Sequence, residues 1–121
     1  MSFVLAPRDE IKTRVKFDIP LDMGKKEKAH IDVTWKRLTV TEKTDWIEKL
    51  KDGGIKDDEI LEEIILNIQG CQSPEGGAVG YSTDLLEQLL DIDYVRKALS
   101  NEMVGMIYSK ELVEAAKTKN S

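Results

Sequence analysis

The sequence has one cysteine, Cys71, and one histidine, His30. A lone thiol cannot close an internal disulfide or build a thiolate metal site by itself, and it fits a reducing compartment. With a single histidine, the commonest proton-transfer group is nearly missing, so catalysis would have to rest on isolated side chains. Positive charge is also short: 18 Lys and Arg stand against 23 Asp and Glu, a net charge of −5. That leaves no basic footprint for the phosphate neutralisation that dominates nucleic-acid affinity, and nucleic acid is not an expected partner. No apolar run approaches the roughly 20 residues that span a bilayer, so no membrane role is expected. The opening stretch MSFVLAPRDE offers only Phe3 to Ala6 as an apolar segment, too short for a signal-peptide core. A cytoplasmic protein is the expectation.

What is present is a balanced chain of 121 residues, 40% hydrophobic and 34% charged. This composition supports one core in one domain and lies outside that of disordered chains. Val15, Phe17 and Ile19 alternate with polar residues, as do Ile31, Val33 and Trp35. Two strands in an antiparallel hairpin follow, with the charged, glycine-bearing LDMGKKEK between them and helices needed to cover one face. Thr39-x-x-Glu42 has capping-box spacing and opens a helix with Trp46, Ile47 and Leu50 on its apolar stripe. Gly53-Gly54 stops it. Asp57 or Asp58 is placed to cap a second helix, in which Ile60, Leu61, Ile64, Ile65 and Ile68 recur at helical spacing and the acids lie opposite.

The segment from Gly70 to Ser82 carries four glycines and a proline and reads as a long loop. Ser82 then caps a helix with Leu85, Leu86, Leu89 and Leu90 inward. Asp91 or Asp93 opens a last one, bearing Tyr94, Val95, Ala98, Leu99, Met103, Met106 and Ile107. The expected architecture is α+β: an N-terminal β-hairpin packed against a bundle of about four to five helices. Residues 1–12 form an N-terminal arm, 13–108 the domain, and 109–121 a polar tail.

Candidate chemistry is sparse. His30 stands at the start of a strand, where a structural or surface role is the simplest account. Cys71 lacks an identifiable basic partner to lower its pKa. Asp91-x-Asp93 has the look of a magnesium pair, but lies where helix caps belong. The acids Asp57, Asp58, Glu59, Glu62 and Glu63 lack the alternating ligands and central glycine of a calcium loop. Gly76 to Gly80 matches neither GxGxxG nor a Gly-Lys-Ser/Thr phosphate loop. No cofactor, no metal and no catalytic residue is expected. Met103 and Met106 share a stripe with Ile107, which serves either core packing or an adaptable partner groove.

In order, the segments TRVKFDIP, HIDVTWKRLTVTE, EILEEIILNIQG, SPEGGAVGYS and DLLEQLLDIDYVRKAL resemble the tail assembly chaperones of long-tailed bacteriophages and prophages. The shared features are Trp35, Lys36, Arg37, Leu38 and Glu42 at the strand-to-helix join; Glu75, Gly76, Tyr81 and Ser82 in the loop; and Leu89, Leu90, Val95, Arg96, Ala98 and Leu99 in the last helices. Relatives often carry a tryptophan where this chain has Ile68, Gln69 and Gly70. The resemblance implies a host-cytoplasmic protein that binds the tape-measure protein and keeps it competent for tail-tube assembly. In some relatives a frameshifted extension recruits the major tail protein, and self-association is also implied. The alternative is a structural tail component retained in the virion. The candidate client surface is Trp46, Leu86, Leu90, Met103 and Met106.

Overall fold

The computed structural model describes residues 9–108. Strands β1 (Glu10–Pro20) and β2 (Lys26–Lys36) pair antiparallel along their whole length, from Glu10↔Lys36 to Pro20↔Lys26. A 3-10 turn at Asp22–Gly24 reverses the chain, with Met23 and Gly24 both at positive φ, and the Leu21 N–H donates to the Lys25 carbonyl at 2.8 Å. The alternation read in the sequence sorts the hairpin into two faces. Val15↔Ile31, Thr13↔Val33 and Ile11↔Trp35 form the inner one, and Arg14↔Asp32, Lys16↔His30 and Asp18↔Lys28 the outer one. Trp35 is completely buried, and its indole N–H donates to Thr13 Oγ1 at 2.8 Å.

Helix α1 (Val40–Lys51) starts on the expected capping box: Thr39 Oγ1 accepts from the Glu42 N–H, and Glu42 Oε1 accepts from the Thr39 N–H. Helix α2 (Asp57–Ile64) has Lys56 at its N-cap, so neither expected capping residue occupies that position. Asp57 and Asp58 stand inside the first turn instead, where their charge meets the positive end of the helix dipole. Asp58 pairs with Arg96.

The expected second helix does not continue to Ile68. It ends at Ile64, and Ile65–Gln69 becomes a third strand, β3, antiparallel to β2. The ladder runs Val33↔Ile68 and Thr34↔Asn67, then steps to Trp35↔Ile65. Leu66 is passed over as a bulge residue, which puts Ile65 and Ile68, three positions apart, on the same buried face. A bulged strand thereby reproduces helical spacing.

Helix α3 (Thr83–Leu90) is capped by Ser82 Oγ, which accepts from the Leu85 N–H at 3.1 Å. Asp91 closes α3 at its C-cap, and Asp93 is the first residue of helix α4 (Asp93–Ile107), which continues through Gly105. Among the described residues the result is an α+β fold: a three-stranded sheet in the order β1-β2-β3, begun by the N-terminal hairpin, with four helices. The core joins Trp35 and Val33 of the sheet to Ile60, Ile64, Leu86, Leu99, Met103 and Ile107. Residues 10–12 of the expected arm belong to β1; its residues 1–8 and the expected tail 109–121 lie outside the described residues. Among the described residues, no helix is long and apolar enough to cross a membrane.

Candidate client groove

Helix α1 buries none of its residues fully; Trp46, Ile47 and Leu50 lean half-buried on the core. On α2, Ile60, Leu61 and Ile64 face inward, which leaves Glu59, Glu62 and Glu63 on the other side at three- and four-residue spacing. These two helices and the start of α3 bound a cleft of about 550 Å³. Trp46 and Lys49 of α1 line it with Ile55 of the connecting segment, the three glutamates of α2, and Tyr81, Thr83 and Leu86.

Its electrostatics are one-sided. None of the three glutamates is ion-paired among the described residues. Burial, with the nearby Glu62 carboxylate, pushes the Tyr81 phenol above its usual pKa, so Tyr81 presents a neutral hydroxyl. Lys49 Nζ sits 4.8 Å from the centroid of the Trp46 ring, a cation–π contact made by the chain's own ammonium. The cleft thus offers two aromatic rings and aliphatic surface beside carboxylates. It has no thiol or imidazole in its lining.

The structure brings Trp46 and Leu86 of the expected client surface to this groove, but disperses the rest. Leu86 is 1% exposed and contributes floor only; Leu90 and Met103 are buried in the core. These leucines and the methionine hold the fold together and do not present an exposed face in this conformation. Met106 is half-buried in a different, smaller cleft beside Ile11 and Leu38. Sequence reasoning missed Ile55 and the acidic wall as parts of a site. One signal for the wall was available: from Asp57 to Ile64 there are five acids and no base, so its glutamates lack the i,i+4 partners of an ordinary solvated face.

The other singled-out residues lie apart. His30 is exposed on the outer sheet face across from Lys16. Cys71 is partly buried, and burial pushes its thiol pKa up, which keeps it protonated at neutral pH. The Gly70–Ser82 segment is more ordered than an open loop. Gln72 bridges Ala78, the Val79 N–H donates to the Cys71 carbonyl, and Gly76 turns the chain at φ +90. No group of three His, Cys, Asp or Glu among the described residues is placed to hold a metal ion. A further cleft of about 450 Å³ lies among the hairpin, this segment and α3–α4, and its lining includes Phe17, whose ring packs on Tyr94.

No protein-family model matches the chain, and neither does any curated protein or solved structure.

Proposed function

We propose that this protein is a phage tail assembly chaperone that binds the tape-measure protein and keeps it soluble until the tail tube closes round it. The ordered sequence resemblance names the client, and one structural observation supports the mode of action: the open α1–α2–α3 groove, with Trp46 and Tyr81 in its walls. A chaperone must cover apolar helix surface without locking it permanently. A solvent-open groove with aromatic walls suits that task, because aromatic rings supply large contact area while the opening leaves release easy. The protein acts by binding, not by chemical conversion of a substrate.

Co-expression with a tape-measure fragment tests this. The fragment is expected in the soluble fraction with the native chain, and in the pellet with Trp46→Ala, a truncation at a half-buried α1 site outside the fully buried core, with an unchanged circular dichroism spectrum as the check that the variant still folds. An insoluble fragment in the presence of the native chain would remove the reading. Mass spectrometry of purified virions separates it from a structural tail component, since a chaperone is expected to be missing from the finished particle.

A further inference from the structure

On the reading that the groove between α1, α2 and α3 receives a client segment, we infer that this segment is an amphipathic helix whose apolar face is bordered by lysine or arginine. Three observations converge. The first is secondary structure: among the described residues, all three elements that bound the groove are helices or lead into one, and no strand edge lines it. An extended peptide would leave its backbone N–H and C=O groups without ladder partners there, whereas a helix satisfies its own.

The second is sign. Among the described residues, three glutamates project from α2 into the groove against a single lysine, and that lysine already lies over Trp46. Acidic groups on a client would meet repulsion on this wall, and cationic ones would find partners. The third is spacing. Glu59, Glu62 and Glu63 occupy adjacent turns of α2, about 5 Å apart along its axis, which matches basic residues at i, i+3 and i+4 on a helix laid beside it. Its apolar residues would then rest on Trp46, Ile55 and Tyr81.

The test uses the full chain and two synthetic helical peptides of about 20 residues. They share one leucine stripe; one is flanked by lysines and the other by glutamates. Binding is followed by Trp46 emission, since Trp35 is completely buried and away from the groove. The lysine peptide is expected to bind, with Kd rising about tenfold or more in Glu59→Gln/Glu62→Gln/Glu63→Gln and also as salt rises from about 0.05 to about 0.5 M. The glutamate peptide is expected not to bind. A control of equal charge change outside the groove, Glu10→Gln/Asp22→Asn/Glu27→Gln, is expected to keep Kd within about twofold.

Equal binding of both peptides, or an equal loss in the control variant, overturns the inference. The co-expression assay keeps the two readings apart. If the triple glutamine variant still solubilises the tape-measure fragment, the chaperone reading stands and the basic-helix inference falls. If the lysine peptide binds as described but the native chain does not solubilise the fragment, the inference stands and the tape-measure client falls.

Discussion

Trp35 carries both halves of the hairpin's logic: its ring fills the core with no exposed surface, and its N–H still needs an acceptor, found at Thr13 Oγ1 on the neighbouring strand. Thr13→Val keeps the size and β-branching of the side chain but strands that N–H in the core. It is expected to destabilise the protein by about 1–3 kcal/mol in urea denaturation. A second residue-scale expectation concerns acid. The Thr39 backbone N–H and then Lys36, with Nζ at 3.2 Å, hold the Glu42 carboxyl below its usual 4.5. The Arg14 guanidinium does the same for Asp32. Both carboxyls are more acidic folded than unfolded. Their contribution is therefore present above the ordinary carboxylate range and lost as pH falls through the lowered values. The melting temperature is expected to drop as pH falls below about 4.5, and to drop less steeply in Glu42→Gln. Parallel pH profiles of the two proteins would dismiss this cap as a contributor.

The elements differ in how far local sequence dictates them. The hairpin was legible because Val15, Phe17 and Ile19, and Ile31, Val33 and Trp35, keep a strict period of two, and the two runs face one core. The starts of α1 and α3 were legible because Thr39, Glu42 and Ser82 cap them through bonds within four residues of chain. β3 was not, because Ile65 and Ile68 fit a helix stripe and a bulged strand equally well, and only pairing with β2 decides between them. The groove was illegible for a related reason: Trp46, Glu62 and Tyr81 are distant in sequence and meet only after three helices pack. The bulge makes a sharp expectation. Deleting Leu66 leaves Ile65 and Ile68 two positions apart, the spacing of a regular strand with both inward. The shortened chain is expected to unfold in one cooperative transition with native-like circular dichroism. Deleting Thr34 from the central strand instead turns its flanking residues to the wrong face and is expected to abolish that transition.

Across the whole molecule, stability is unevenly shared. α2, α3 and α4 each send several side chains into the common core, and α4 also spans β1, whereas α1 buries none fully and packs mainly on α4. What makes α1 a helix is largely local: the capping box at Thr39 and Glu42, and Lys49 and Lys51 against the negative end of the dipole. An element held this way opens at lower free energy than the core around it. Of the two roles the sequence left open for Met103, the structure gives it core packing, and the groove wall held least by the core is α1, which carries Trp46. Amide hydrogen exchange puts this to the test. Backbone amides in the middle of α1 are expected to exchange about tenfold or more faster than those around Leu99 in α4, and, on the proposed function, a bound tape-measure fragment is expected to slow α1 far more than α4. Equal protection of the two helices in the free protein would make the groove a rigid slot, and the proposed chaperone action, which needs both grip and release, would then require a movable part elsewhere.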